Sequence, residues 1–184
     1  MEPAASIPAL FAQRVAQTPD ALAFQYRNGT GWITQTWAQT EVQVRQLASS
    51  LIALGVESES RVAILSGTRW EWILADLSIL AAGGATTTIY PSNTADECAY
   101  VIADSDSILV IAENDAQVAK LRAVRDQIPL VRHVIVIDGT ADGEGVLTLD
   151  QVRSTVAGLA AAAPAAAAAR IAAIGSDRLA MLVY

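Results

Sequence analysis

Four short runs of apolar and β-branched residues recur between residues 61 and 138, and three segments of helical length separate them. The runs cover residues 62–65, 86–89, 108–111 and 134–137. Each is too short for a helix and lacks the alternation of a half-exposed strand, which predicts strands buried on both faces. Strands that alternate with helices predict a mainly parallel sheet with right-handed crossovers. The expected fold class is therefore α/β, a doubly wound sheet between two layers of helices in an αβα arrangement.

The segments between these strands carry helix-start signals. In a capping box, a hydroxyl accepts from the third helical amide, and a carboxylate three residues later returns to the amide of the capping residue. The candidate pairs are Thr68 with Glu71, Thr94 with Glu97 and, more weakly, Asn114 with Gln117. The first predicted helix covers residues 69–82, and the Gly83-Gly84 pair supplies a residue that can end it in a left-handed conformation.

The chain before the core predicts three further elements. Residues 7–16 place apolar side chains on one side of a short helix. Residues 22–26 and 31–34 are typical of two strands, and the Asn28-Gly29 pair between them favours a tight antiparallel β-hairpin. Thr36 and Gln39 then form a capping pair that opens a long helix, which Gly55 ends.

The chain after the core is less regular. We expect a turn-rich loop over residues 138–145, a short strand over 146–149 and a brief helix capped by Asp150. Residues 157–173 are almost all alanine, the best helix former, so two short helices meeting at Pro164 are favoured over a flexible linker. Residues 179–184 predict a last strand.

Composition excludes several classes of partner. The formal net charge is −7, and Lys and Arg are scattered, so the sequence shows no basic footprint for nucleic acid or for an anionic membrane surface. Cys98 is the single cysteine, and residues 1–3 lack the basic region of a secretory signal, which predicts a cytoplasmic protein. No window offers about 20 uninterrupted apolar residues, so we predict no transmembrane segment, and a peripheral membrane contact stays open as an alternative without a feature that supports it.

Two glycine-containing turns are candidates for phosphate binding. The turn over residues 66–69 has one glycine where the dinucleotide fingerprint needs three. Gly143 and Gly145 are followed by Thr148 at the position of the third glycine. Neither turn predicts a pyrophosphate site.

Other candidate chemistry has a simpler structural interpretation. Residues 138–143 imitate the start of a calcium loop, but Leu149 stands where the bidentate glutamate belongs, so an acidic surface turn is favoured. His133 precedes a strand without an identifiable partner, and Cys98 lies on an apolar helix face, which favours structural roles for both. Packing likewise explains the four tryptophans, Trp32, Trp37, Trp70 and Trp72, better than an aromatic ligand box does.

Several stretches together resemble the amino-terminal part of the adenylate-forming acyl-CoA synthetases, and the long-chain fatty acid–CoA ligases in particular. The resemblance is carried by Trp32-Ile33-Thr34 with Trp37 and the helix through residue 56, and by residues 61–66, 71–83, 89–95 and 177–184. It covers nearly the whole chain. Thr68 and Trp70 depart from the Asn and Pro that long-chain members commonly show, and the alanine tract fills a variable region.

The resemblance implies a parent enzyme that uses ATP and magnesium to convert a fatty acid into an acyl-adenylate, and then transfers the acyl group to coenzyme A. The family's phosphate loop would begin after Tyr184, and none of its chemistry motifs has a counterpart here. We therefore assign no catalytic, cofactor-binding or metal-binding residue, and we expect the 184-residue chain alone to be inactive.

The resemblance also implies a domain organisation. The chain would be one amino-terminal subdomain whose principal partner is the rest of the synthetase chain. Within it, residues 1–57 form the first helix, hairpin and long helix, 58–138 the βα core, 139–176 the variable loop and alanine-rich helices, and 177–184 the strand leading to the phosphate loop.

Two other functions remain open at this point. A free-standing, non-catalytic interaction module on a synthetase-derived scaffold is the main alternative, and an in-frame stop after Tyr184 would favour it. A nucleotide-binding regulator of doubly wound type is the weakest hypothesis, because no glycine-rich turn supports it.

Overall fold

The structure is a computed structural model that describes residues 4–159 and 163–184. Helices and strands alternate through most of the described chain, as the sequence predicts. In chain order the elements are α1 Ile7–Gln17, β1 Leu22–Asn28, β2 Gly31–Thr36, α2 Trp37–Ala53, β3 Arg61–Leu65, α3 Trp70–Ala81, β4 Ala85–Ile89, α4 Ala95–Asp104, β5 Leu109–Asn114, α5 Asp115–Ala123, a 3₁₀ turn at Arg125–Gln127, β6 His133–Asp138, β7 Val146–Thr148, α6 Leu149–Leu159, α7 Ala163–Ala173 and β8 Met181–Leu182.

Strands β3 to β8 form one six-stranded sheet in the order β7-β6-β5-β3-β4-β8. Every neighbouring pair in this sheet is parallel. Strand β3 lies in the interior, where Ala63 is in register with Thr87 on one side and Val110 on the other. The predicted α/β class, with a parallel sheet of strands buried on both faces, is confirmed.

Alternate residues of β3 enter two separate hydrophobic cores, one on each face of the sheet. Ile64 belongs to the core formed with α2, α3 and α6, where it shares a cluster with Leu47 and Leu74. Leu65 belongs to the core formed with α4 and α5, together with Leu121. All five of these leucine and isoleucine side chains are fully buried or nearly so, and each contributes about 1.5–3 kcal/mol through burial. Layers of helices on both faces therefore hold the sheet.

The β-hairpin forms a separate two-stranded sheet, as predicted, but its turn differs in detail. Asn28 pairs with Gly31, so the loop consists of Gly29 and Thr30 and not of the predicted Asn28-Gly29 pair. Gly29 has a φ of 59°, and glycine at the first loop position is the requirement of a type II′ turn.

Aromatic rings join the hairpin to the helical layer. The ring of Phe24 lies 5.8 Å from that of Trp37 and 4.8 Å from that of Trp70, between ring centroids. Tyr26 stacks on Trp70 at 5.3 Å with an interplanar angle of 7°. The packing role predicted for the tryptophans is confirmed for these two. It is wrong for Trp32, which is 63% exposed and is approached by the Arg27 guanidinium at 5.7 Å.

Two of the predicted capping boxes are confirmed. The Thr36 amide donates to Gln39 Oε1 at 2.9 Å, and the Gln39 amide donates to Thr36 Oγ1 at 3.2 Å. Thr94 and Glu97 make the same reciprocal pair at 2.7 and 3.3 Å. The Asn114 side chain caps α5 by accepting from the amides of residues 116 and 117, although the Gln117 side chain does not return to it.

Two other predicted caps are wrong. Arg69, not Thr68, is the capping residue of α3, and it makes no side-chain cap hydrogen bond. Glu71 cannot complete a box because its carboxylate accepts from Arg69 Nε. Asp150 does not cap α6 either, since it lies inside the helix, and Thr148, two residues earlier, forms a reciprocal pair with Gln151 at 2.9 and 3.1 Å.

The carboxy-terminal part is helical where it is described. Helices α6 and α7 flank residues 160–162, which lie outside the described residues, so the junction itself is not tested there. Pro164 is the second residue of α7. Arg170 Nη1 donates to the carbonyls of Val56 and Ala82 at 3.3 Å, which fastens α7 beside the carboxyl ends of α2 and α3. The last strand is shorter than predicted and pairs with β4.

Gly83 ends α3 as the sequence predicts. Its φ is 84°, a left-handed backbone conformation that residues with a side chain rarely adopt, and its amide donates to the Leu80 carbonyl at 3.0 Å.

None of the described helices combines the length and the apolar character that crossing a membrane requires.

Candidate functional site

The strand order defines a crevice at the carboxyl edge of the sheet. Strand β3 leads into α3 on one face, whereas its neighbour β5 leads into α5 on the opposite face. Connections that diverge in this way leave a gap between the ends of the two strands, and ligands of open parallel sheets bind in such gaps. The crevice lies between the turn at Ser66 and Gly67, after β3, and Glu113 near the end of β5.

The chain's own side chains occupy this crevice. Glu113 Oε2 accepts a hydrogen bond from the Gly67 amide at 3.2 Å. Backbone amides at such turns are the donors that usually hold phosphate in parallel-sheet proteins. Here a carboxylate of the protein already takes the donor.

Arg69 sits at the centre of a cluster of carboxylates, which we call the Arg69 hub: Arg69, Glu71, Glu113 and Asp138. Its Nε donates to Glu71 Oε2 at 2.5 Å, and its Nη1 donates to Asp138 Oδ2 at 2.6 Å. Glu113 Oε1 lies 3.9 Å from the same Nη1. The hub therefore connects the start of α3 to the ends of β5 and β6.

The charge of the Arg69 hub is unsuited to an anionic ligand. Hydrogen bonds to Glu71 and then to Asp138 raise the pKa of Arg69 above its ordinary value, so the guanidinium stays charged. One guanidinium faces three acidic side chains, and the side chains of Arg69, Glu71 and Glu113 are each only 26% exposed. A phosphate entering the crevice would meet net negative charge at short range, which opposes its binding.

Ligand-binding clefts typically have volumes of about 300–1,000 Å³, and a cleft of about 740 Å³ lies beside the hub, between the hairpin and the end of β6. Its lining includes Tyr26, Arg69, Asp138, Asp150 and Arg153, so both signs of charge face the same space. This mixture favours neither an anion nor a cation.

A chain of hydrogen bonds borders the cleft and runs from helix to hairpin. Arg153 Nη2 donates to Gln43 Oε1 at 2.9 Å, Gln43 Nε2 donates to Gln35 Oε1 at 2.6 Å, and Gln35 Nε2 donates to the Tyr26 hydroxyl oxygen at 2.9 Å. All three bonds run in one direction from a cation, an arrangement in which each bond polarises the next. The network orients the hairpin on α2 and α6.

The residues that the sequence singled out lie elsewhere. Cys98 is fully buried in α4, and burial raises the pKa of its thiol, as expected of a core residue. His133 begins β6 and therefore lies at the amino edge of the sheet, away from the crevice. Among the described residues, its Nδ1 is buried without a hydrogen-bond partner.

The loop that imitates a calcium site is held by ordinary turn contacts. Asp142 accepts from Arg122 Nη2 at 2.7 Å and from the amides of Glu144 and Val146. These contacts lower the pKa of Asp142 to about 2. Within the two described stretches of chain, no group of three or more His, Cys, Asp or Glu side chains could hold a metal ion.

The residues of the hub and of the hydrogen-bond chain were missed at the sequence level. A signal was present for the hub, because Glu113 and Asp138 stand just after the ends of predicted strands and Arg69 begins the helix predicted to follow another strand. Carboxyl ends of parallel strands meet at one edge, so charged residues there are candidates for mutual contact. Nothing local predicts which of them pair.

Comparison with known proteins places this fold. The model of the family described as AMP-binding enzyme matches residues 11–184. The chain belongs to the AMP-binding enzyme family. It is 34% identical to the long-chain-fatty-acid–CoA ligase FadD15 of Mycobacterium tuberculosis over 97% of its own length, and 32% identical to the ligase heimdall of Drosophila melanogaster over 74%.

Solved structures show the same fold at low sequence identity. A mutant coronafacic acid ligase from Pectobacterium brasiliense aligns over 96% of the chain with a TM-score of 0.73 and 13% identity. The anthranilate CoA ligase AuaEII, in complex with anthranoyl-AMP, aligns over 83% with a TM-score of 0.71 and 18% identity. The chain spans 29% of FadD15 and 33% of the coronafacic acid ligase, so it corresponds to about a third of these proteins or less.

Proposed function

We propose that the chain is the amino-terminal portion of an ATP-dependent, AMP-forming long-chain fatty acid–CoA ligase. The parent enzyme would activate a fatty acid to acyl-AMP and transfer the acyl group to coenzyme A. The family match over residues 11–184 and the 34% identity to a long-chain ligase support this substrate class. We further propose that residues 1–184 act as one cytoplasmic subdomain whose partner is the rest of the ligase, with no role in nucleic-acid binding.

We infer that this portion holds no catalytic, cofactor-binding or metal-binding residue of the reaction. The observation that carries this inference is the Arg69 hub, which fills the crevice at the carboxyl edge with protein carboxylates. Carboxylates that already occupy the crevice would repel the phosphates of ATP, and among the described residues no group of three or more His, Cys, Asp or Glu side chains could hold a metal ion; both observations support this inference. The groups that bind ATP, magnesium and coenzyme A would belong to the remaining part of the ligase.

The role left to this portion is to position the phosphate loop. Strand β8 is parallel to β4, with Thr86 opposite Met181 and Thr87 opposite Leu182. A loop that follows Tyr184 would therefore emerge at the carboxyl edge, on the same edge as the crevice but beyond β4. Backbone amides held there could meet a phosphate at a distance from the negative charge of the hub.

The test is ATP–pyrophosphate exchange with palmitate, run on the 184-residue chain and on a version extended through the following reading frame. We expect exchange from the extended protein and none above background from the 184-residue chain. Exchange by the short chain would overturn its assignment as a non-catalytic portion. If the extended protein folds but shows no exchange, the proposed ligase function is refuted.

The second candidate is a free-standing interaction module on the same scaffold. The exposed apolar side chains of β8 and its flanks are the observation that favours it, because such surfaces commonly bind a partner. An in-frame stop after Tyr184 would favour this function over the ligase.

A further inference from the structure

Lys120 is the only lysine of the chain, and its side chain binds backbone instead of a carboxylate. Its ammonium, on α5, donates to the carbonyl oxygens of Pro91 and Asn93, each at 2.7 Å. These are short, charge-assisted hydrogen bonds. Among the residues that the structure describes, the ammonium makes no ion pair. Lys120 therefore serves the segment that follows β4.

That segment is a tight turn over residues 90–93, which we call the Tyr90 turn. The Asn93 amide donates to the Tyr90 carbonyl at 3.0 Å, and Pro91 occupies the second position, where its ring fixes the backbone. Gln117 Nε2 of α5 adds a longer bond of 3.4 Å to the Pro91 carbonyl. The turn is thus held both by its own hydrogen bond and by two side chains of a neighbouring helix.

The Tyr90 turn presents an aromatic ring to solvent. The Tyr90 side chain is 71% exposed, more than any other aromatic side chain that the structure describes. Large rings usually bury their faces, so a ring kept in water on a firmly held turn is a candidate contact for a ligand.

The ring also lies at the edge of the sheet where ligands bind. Tyr90 directly follows Ile89, which is in register with Leu65 at the carboxyl end of β3. Ligands of open parallel sheets bind outside the carboxyl ends of the strands. The Arg69 hub fills the crevice between β3 and β5, but none of its four residues follows β4. The Tyr90 turn therefore occupies a part of this edge that the hub leaves open.

We propose that Lys120 is a positioning residue of the ligase: its ammonium holds the Tyr90 turn so that the Tyr90 ring contacts a bound substrate, an inference that rests on the proposed function. The apolar faces and the polar hydroxyl of the ring suit a substrate with both kinds of surface. Lys120 acts through the turn and touches no substrate itself. Such support matters because a displacement of about 1 Å can lower a reaction rate about 100-fold.

The experiment measures kcat/KM for the ligation of palmitate to coenzyme A by the extended ligase. Lys120→Met removes both bonds to the turn, Lys120→Arg keeps a cationic donor, and Tyr90→Ala removes the ring. Arg122→Met is the matched control on the same helix, because Arg122 donates to Asp142 at 2.7 Å in the loop before β7. The double variant of Lys120→Met and Tyr90→Ala completes a cycle.

We expect Lys120→Met and Tyr90→Ala each to lower kcat/KM by about tenfold or more, and Arg122→Met to leave it unchanged. Lys120→Arg should recover part of the loss. Because Lys120 acts through Tyr90, the double variant should be no slower than Tyr90→Ala alone. Unchanged kcat/KM in Lys120→Met, or losses that simply add in the double variant, would overturn the proposal.

Amide hydrogen exchange on the 184-residue chain tests the turn without any activity. Lys120→Met should speed exchange of the Asn93 amide by about tenfold, whereas the amides of β3 keep their rates. An Asn93 amide that exchanges at the same rate in both chains would overturn the proposal.

The remaining outcomes separate the two proposals. Tyr90 is largely exposed, so Tyr90→Ala leaves the core intact, and unchanged kcat/KM in this variant overturns the role of the turn even if Lys120→Met unfolds. An active parent ligase with an active Tyr90→Ala variant defeats only this inference. A folded but silent parent ligase defeats the proposed function and this inference together.

Discussion

Removing the charge of Arg69 should destabilise the fold measurably, because the substitution Arg69→Met leaves three carboxylates close together without their cation. The two short hydrogen bonds of the guanidinium reach Glu71 and Asp138. A hydrogen bond to a charged group contributes about 1.5–3 kcal/mol when it is shielded from water. The Arg69–Glu71 pair fits that range, since both side chains are 26% exposed. The Arg69–Asp138 pair should contribute little to the free energy of unfolding, because the Asp138 side chain is 64% exposed. We therefore expect a loss of about 2 kcal/mol in the free energy of unfolding.

The assay is urea denaturation followed by circular dichroism, with the free energy extrapolated to water. Arg45→Met is the matched control, because Arg45 pairs with Glu41 at 2.8 Å one turn away on α2. Such a helical pair contributes about 0.5 kcal/mol or less. If Arg69→Met and Arg45→Met lower the free energy of unfolding equally, the Arg69 hub contributes no more to stability than an ordinary helical ion pair, and the reasoning is refuted.

The substitution Glu71→Gln provides a second test, because its effect on the free energy of unfolding should change sign when Arg69 is absent. Glu71→Gln in the natural chain removes the partner of Arg69 and should destabilise it. In the Arg69→Met background the same change removes a repelling carboxylate and should stabilise. Additive effects in this double-mutant cycle would show that the two side chains do not interact.

Two further predictions concern polar groups on helices. Burial raises the pKa of Asp76 above 3.8, although the Thr86 hydroxyl donates to it at 2.7 Å, so the folded state holds the proton more tightly than the unfolded state. Stability should then fall as the pH rises from 3.8 to the raised pKa, and Asp76→Asn should be more stable at pH 7 in thermal melts but equal near pH 3. Thr94→Ala should lower the free energy of unfolding by about 1 kcal/mol through loss of a cap, whereas Thr68→Ala, which removes no cap, should change it by less than about 0.5 kcal/mol in urea titrations.

The parts of the fold that the sequence predicts are those with a local cause. A strand buried on both faces must be apolar at consecutive positions, so residues 62–65 identify the central strand directly. Gly83 marks a helix end because only glycine adopts its left-handed conformation without strain. In both cases the sequence pattern that predicts the element lies within the residues that form it.

The parts that it misses depend on contacts between distant residues. Thr68 and Glu71 have capping-box spacing, but Arg69 takes the Glu71 carboxylate and also binds Asp138, 69 residues further along the chain. The link from Gln43 to Arg153 spans 110 residues. Local spacing rules cannot predict which distant partner competes for a side chain, because that choice follows from the order of strands in the sheet.

The two sides of the sheet differ in a way that bears on where a ligand can act. Around β5, β3 and β6 the carboxyl edge is closed by the Arg69 hub, whose members bind each other without any ligand. Around β4 and β8 it is open: Tyr90, directly after β4, is 71% exposed, and the Tyr184 hydroxyl donates to Asp104 at 2.8 Å on the outer side. A site assembled from two parts of a ligase needs one rigid part and one surface left free for the other. The hub closes one part of the carboxyl edge, and under the proposed ligase function a phosphate loop would emerge on the open β4–β8 side.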